Sequence, residues 1–510
     1  MHGEGLGGAP TALDALDAEA GRVLAEADEA LWRHWTSGAP LSLPAGRDTF
    51  FSQQTLEVLR ADGSQRARHL EHFIVAELLA RALASDTEAI ASLEAGATFT
   101  LDGREVLWRD LPRLLVTEKS AVKRHALWAA SGQVAERLES LLTHREQVSA
   151  TQLAALGVPS ALELWAAARG VSSVALARDA RALLEKTDEA WSATLTALSE
   201  AELKLPVDVL TRADLPRLLK VPAAVDAAFP RAQVAPFALA TLSNAGLKDA
   251  PGLTLDLTEA AAKKPLPLTV APKPSDVRVS FKPVGGLRDM THLLAELGAA
   301  VAWRSASTGH ASTDRLGDPA HTLVVAELFA ALVQEPAWLQ ARGIAEADHA
   351  AIVAAARAQR LYALRRACMA VLLRIETDGL SDSEAHARVE QISAHALGVK
   401  ASKEDALRLH LDLDEGLRAA SVLKAAFQAA LERERLGAGW WGSPEGLKSL
   451  APRLAAGTSA AWSTGTTDDA LAALARQLAV PAPTAATTAG AVAPAEPAAP
   501  DEPDGGVAAP

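Results

Sequence analysis

Leu293 to Val301 reads L-L-A-E-L-G-A-A-V, and Glu296 is the only charge in it. Leu293, Leu294, Leu297, Ala300 and Val301 recur at helical spacing, so Gly285 to Trp303 reads as a loop feeding one buried helix. The rest of the chain has to be organised around that helix, because an apolar helix is stable only when covered. A carboxylate inside such a run is costly unless something answers it. Arg288, Arg304, a backbone amide or a water-lined cavity are the expected answers for Glu296.

The chain has 510 residues, 49% of them hydrophobic, enough for two or three domains or one large helical domain. Its formal net charge of -13 argues against non-specific nucleic-acid binding, which needs a basic face. The sole cysteine, Cys368, lies in R-R-A-C-M-A-V-L-L, so no disulfide can form within the chain and a buried structural thiol is expected. The first ten residues carry neither the basic nor the apolar region of a secretory signal. No stretch reaches the roughly 18 uninterrupted apolar residues of a membrane span. A cytoplasmic protein without membrane contact is the expectation.

Residues 11 to 36 read as an amphipathic helix that ends before Pro40 to Pro44. Two more helices are expected over Asp48 to Arg60 and Ser64 to Ala84. The second carries His69 and His72, three apart; a solvated helix face is expected there rather than a metal pair, since no third ligand is suggested. Asp102-Gly103 between β-favouring residues marks a hairpin over Phe99 to Trp108. Helices follow at about Glu118 to Val148, Ala161 to Ala168 and Ser173 to Leu198. The hexamer D-L-P-R-L-L occurs at Asp110 to Leu115 and again at Asp214 to Leu219, and aspartate before a proline-started helix reads as N-cap chemistry rather than as a repeat. Proline is dense from Leu205 to Pro283, where a few short strands and loops are expected. A loop over Ser307 to Ala320 precedes a helix from His321 to Leu339, and further helices fill Asp348 to Glu376 and Ser381 to Leu397. Three regions follow: 1–204, N-terminal and helical; 205–479, a helical lobe; and 480–510, an Ala/Pro-rich tail too poor in large apolar groups to pack.

Four segments are similar to the thimet oligopeptidase and oligoendopeptidase family of zinc peptidases. They are P-S-D-V-R-V-S-F-K-P-V-G-G-L-R-D (Pro274 to Asp289), L-G-D-P-A (Leu316 to Ala320), E-P-A-W-L (Glu335 to Leu339) and G-A-G-W-W-G-S-P-E-G (Gly437 to Gly446). The resemblance covers most of residues 100 to 480, with the sharp motifs between Pro274 and Glu445. It implies a mostly α, multi-helical zincin-like metallopeptidase fold with a central groove and minor short β-strands. In that family an H-E-x-x-H helix grips zinc with two histidines and uses the glutamate as general base. The matching positions are Ala295, Glu296, Leu297, Gly298 and Ala299, so only the general-base position is kept. The five residues alone carry little, because Ala-Glu-x-x-Ala recurs at Ala76 to Ala80 and Ala326 to Ala330. The resemblance places the third ligand, a glutamate, at Leu323, and a carbonyl-polarising tyrosine near Val422, whereas the sole tyrosine is Tyr362. A shifted register would bring Glu327 to the ligand position.

The resemblance therefore implies a pseudoenzyme: no catalytic residue, no metal, no cofactor, and a peptide or protein partner held in the former groove, or a scaffold. The alternative is an active oligopeptidase whose zinc site is relocated to His292, His310 and His321. A third reading is a structural protein with the groove filled. No P-loop, G-x-G-x-x-G after a strand, C-x-x-C or G-x-S-x-G motif offers another chemistry.

Overall fold

The structure is a computed structural model and describes residues 11–41, 46–247, 251–460, 462 and 465–479. The expectations for the chain start, for Pro44 and for the 480–510 tail lie outside the described residues.

The chain is mostly helical with five short strands among the described residues. It opens with α1 (Ala12–Ser37), whose Thr11 and Asp14 form a capping box. Then come α2 (Gln53–Asp62), α3 (Gln65–Ala82) and α4 (Ala84–Gly96). The hairpin follows as β1 (Thr98–Leu101) and β2 (Arg104–Leu107), antiparallel and turning at Asp102 and Gly103, both with positive φ. Next are α5 (Leu111–Thr117), α6 (Ala121–Ala155), α7 (Ala161–Ala168) and α8 (Ser173–Glu202). Ser120, Ser160 and Ser172 cap the last three with their hydroxyls.

The proline-dense stretch differs from expectation in its first half. It holds α9 (Leu215–Leu218), α10 (Ala223–Ala227) and α11 (Arg231–Asn244), and only then strands. Pro216 sits in the first turn of α9, and Pro222 and Pro230 immediately precede α10 and α11. Proline there costs nothing, because the first amides of a helix have no partner in any case. The strands are β3 (Leu253–Asp256), β4 (Leu268–Lys273) and β5 (Asp276–Ser280), in the order β3-β5-β4, with β3 parallel and β4 antiparallel to β5.

The second half comprises α12 (Leu287–Ser305), the single turn α13 (Ala311–Asp314) within the expected loop, α14 (Ala320–Ala330) and α15 (Pro336–Ala341). The helix expected over 321–339 is thus broken at Glu335, where Pro336 starts α15. After it come α16 (Glu346–Glu376), α17 (Asp382–Leu397), the turns α18 (Lys403–Ala406) and α19 (Leu409–Asp412), α20 (Arg418–Leu436), α21 (Pro444–Lys448), α22 (Ala451–Ala455) and α23 (Thr467–Leu478). Among the described residues no helix is long and apolar enough to cross a membrane.

Two large cores hold these elements. One gathers α11, the three-stranded sheet, α12 and α14 with Trp338 and Trp440. The other joins α8 to α16, α17, α20 and α23, so residues on both sides of position 204 share it. Cys368 is buried in this second core, and burial pushes its thiol up to about 12, as expected of a structural cysteine. Arg365, beside it, donates to the carbonyls of Leu184, His395 and Ala396 and to Asp188, tying α16 to α8 and α17.

Both D-L-P-R-L-L hexamers form a short 3-10 turn followed by a helix, and α5 packs on α9. Neither aspartate caps its helix through the side chain, contrary to expectation. Asp214 is fully buried instead. Its Oδ1 accepts from Arg124 Nε at 2.9 Å and Nη2 at 2.7 Å, and its Oδ2 from the Thr211 amide. The preceding Thr211 recruits Asp214 into a capping box of its own.

α1 spans the sheet rather than staying with its sequence neighbours. Asp28 accepts from the Ala271 amide and from Arg315, and buried Asp17 accepts from the Ser312 amide at 2.8 Å.

Candidate functional site

The entry to α12 is built by two aspartates. Asp289 accepts from the amides of Val284 and Gly285 at 2.7 and 2.8 Å, and Asp226 accepts from the amide of Leu287 at 3.0 Å. Gly286 has φ 95°, and a Cβ on it would lie 2.6 Å from Asp226 Oδ1, so only glycine fits. The G-G-L-R-D sequence is therefore a helix-entry device. Further along, Gly298 brings α12 onto the backbone of α14, with a would-be Cβ 2.5 Å from the carbonyl oxygen of Val325.

His292, Ala295, Glu296 and Ala299 fall on one half-buried side of α12, and Leu323 on α14 is also half-buried. Thr269 of β4 donates to the main-chain carbonyl of Glu296 at 3.0 Å, and burial raises the pKa of the carboxyl above the ordinary carboxylate value although Thr269 pulls the other way. The expected arginine partners do not reach it: Arg304 donates to the Pro251 carbonyl, and Arg288 is exposed. Glu327 does not stand free as a ligand, since it pairs with Arg360 at 2.8 Å. Val422 packs against the α8–α16 core, and Tyr362 stacks on Trp191 with centroids 6.0 Å apart.

The three histidines of the relocated site have separate surroundings. His292 sits by Arg288 and Asp289, with its pKa lowered chiefly by burial. His310 Nδ1 is 3.3 Å from Asp17 Oδ2. His321 packs against Trp462. Among the described residues no group of three or more His, Cys, Asp and Glu side chains is arranged to hold a metal ion.

His321 lines a different site. A cavity of about 690 Å³ opens between α3, the α7–α8 turn, α14 and α20, and Trp462 closes one side. Its walls carry His69, His72, Asp318, His321, Lys424 and Gln428. His69 and His72 are thus half-buried in a cavity wall rather than on a solvated face, and burial lowers both pKa values. His69 Nδ1 lies 2.6 Å from the Ser312 carbonyl, which can only accept, so that nitrogen carries the proton. His321 is 3% exposed, and burial pushes it down to about 4 although Asp318 pulls the other way. Asp318 accepts from the Ala320 amide at the start of α14 and forms an ion pair with Lys424.

Sequence reasoning missed Gln428, Lys424 and Trp462 altogether. The L-G-D-P-A motif did mark Asp318, but as a landmark for another position. No family model matches the chain, and no curated protein matches it.

Proposed function

We propose that the chain is a catalytically inactive homologue of the thimet oligopeptidase and oligoendopeptidase peptidases, with a zincin-like frame, that holds a peptide or a partner's segment where its active relatives hold substrate. One observation carries the reading. The side of α12 that the resemblance matches to the family's zinc helix is half-buried and carries Ala295, Glu296 and Ala299, and the resemblance puts the third ligand position at Leu323, also half-buried. Alanine and leucine offer no lone pair, so these residues do not fit zinc, and the carboxylate alone has no Lewis acid with which to activate water. Replacing ligands by small apolar side chains also removes the burden of buried polar groups left without their metal. Glu296 is the remainder, a carboxyl whose pKa burial raises. The buried thiol of Cys368 is in keeping with a reducing, cytoplasmic setting.

The test is metal content of the tag-free protein by inductively coupled plasma mass spectrometry after equilibration with zinc, beside an active zinc peptidase of the family. Near-zero zinc and no hydrolysis of a quenched fluorescent peptide library are expected. Stoichiometric zinc with turnover would overturn the reading, and replacing His292, His310 and His321 singly would then locate the ligands. Retention of the same library, read by fluorescence anisotropy, tests the binding half.

A further inference from the structure

A second cavity, of about 250 Å³, lies where α3, α6 and α7 meet α16, α19 and the start of α20. Leu79, Leu83 and Leu413 make part of its wall apolar, and Arg169, Arg374 and Arg418 make part of it cationic. The chain as a whole carries a formal charge of -13, so three guanidinium groups around one cavity run against its balance.

The three are answered differently. Arg374 pairs with Glu146 at 3.0 Å. Arg169 donates from Nε and Nη2 to the carbonyl of Gly416 at 3.1 and 2.9 Å, a neutral acceptor that leaves the charge in place. Its Nη1 makes no bond and remains accessible. Arg418 is exposed, and among the described residues neither it nor Arg169 forms an ion pair. Trp165 Nε1 and Ser149 Oγ, in the same wall, also make no hydrogen bond and remain accessible. The nearby carboxylates are already engaged. Glu139 holds the ring of His410 at 2.6 Å, and Asp414 accepts from the Ala419 amide. Arg145 lines the cavity too but has interactions of its own and is not counted.

What stays open to the cavity is therefore a set of donors, two of them guanidinium groups. Burial disfavours the charge of Arg169, and Arg418 disfavours it further, so an anion between them relieves both. A neutral ligand would leave both charges uncompensated, and a cation would be repelled. The guanidinium fork matches the two oxygens of a carboxylate. The leucines ask for an apolar remainder.

We propose that this cavity binds a small organic carboxylate with an apolar body, its oxygens held by Arg169 and Arg418 and its body lying on Trp165, Leu79 and Leu83. The volume is slightly below the range of about 300–1,000 Å³ usual for drug-sized ligands, which suits an acid the size of phenylacetate. The carboxylate can belong to a free acid or to the C-terminus of a peptide. The assignment does not depend on the peptidase-like reading, because it uses none of Ala295, Glu296, Ala299 or Leu323.

Binding to the full chain is followed by ¹⁹F line broadening of 4-fluorophenylacetate and of the peptide alanyl-alanyl-4-fluorophenylalanine, which represent the two sources. The amides of both compounds, 4-fluorobenzylamine and 4-fluorophenyl phosphate are run beside them. At least one of the two acids is expected to bind saturably and to be displaced by its own unlabelled form. Arg418→Glu, a change at an exposed residue, weakens that binding by about tenfold or more. Arg104→Glu, an equal change of net charge on an exposed position of β2, leaves it as it was. An unchanged melting temperature certifies each variant, and if Arg418→Glu does not fold, Arg418→Gln takes its place. The proposal is overturned if neither acid binds, if the amides or the amine bind as tightly, if the phosphate alone binds, or if Arg418→Glu weakens acid binding no more than Arg104→Glu does. Zinc content and peptide turnover are separate readouts, so either result leaves the peptidase-like reading to its own test.

Discussion

The carbonyl oxygen of Val325 occupies the place where a side chain on Gly298 would begin, 2.5 Å from the position of a Cβ. Gly298→Ala gains helix propensity worth about 1 kcal/mol. It must also push α12 off the α14 backbone, and overpacking of this kind costs about 3 kcal/mol when backbone cannot yield. Loss of about 2 kcal/mol is expected in urea unfolding. Gly132 in α6 is the control, since its nearest neighbour would be 3.7 Å from a Cβ. Gly132→Ala is expected to stabilise by about 0.5–1 kcal/mol. Equal effects at both sites would refute the close approach of α12 and α14.

Arg124 and Asp214 form an ion pair whose side chains are both fully buried. Removing one partner strands the other charge. Arg124→Met and Asp214→Leu are each expected to cost about 3–5 kcal/mol, and the double variant less than the sum by several kcal/mol. Strict additivity in a double-mutant cycle would mean that the pair is not formed.

Acid sensitivity should originate in part at His321. Its folded pKa is about 4, against 6.5 for a free imidazole. Below pH 6.5 the unfolded chain takes up this proton and the folded chain does not, so the contribution is complete above 6.5 and is lost as pH falls toward 4. The loss by pH 5 is on the order of 2 kcal/mol. His321→Gln should flatten the fall in stability between pH 7 and pH 5, and an unchanged slope would count against a buried neutral ring.

Glu296 has the opposite sign. Burial raises its folded pKa, so the folded state holds the proton more tightly and stability falls as pH rises through that value. Glu296→Gln should raise the melting temperature at pH 8 and leave it nearly unchanged at pH 4. A gain that is the same at both pH values would show that the carboxylate titrates normally.

Helical spacing made most of the fold legible. α1, α7, α8 and α16 lie where helices are expected from the sequence, and the structure adds the caps Thr11, Ser160 and Ser172 on the first three. Proline was misread over 205–247 because the same residue that forbids a central strand is welcome in a first helical turn. His69 and His72 looked solvated because their cover, the loop before α14 with residues 458–460 and Trp462, is remote in sequence. No window of sequence contains α3, α14, α20 and Trp462 together, so the cavity they form could not be read before the chain was folded. The neighbour of Glu296 was missed for a related reason: it is a neutral threonine on a strand, bonded to the main-chain carbonyl, whereas charge pairing on its own helix suggested arginine.

The position of α1 bears on the order in which the protein can assemble. Asp17 of α1 meets its Ser312 amide 295 residues later in the chain, and Asp28 waits for Ala271 and Arg315. α1 therefore docks only after the three-stranded sheet and α13 have been made.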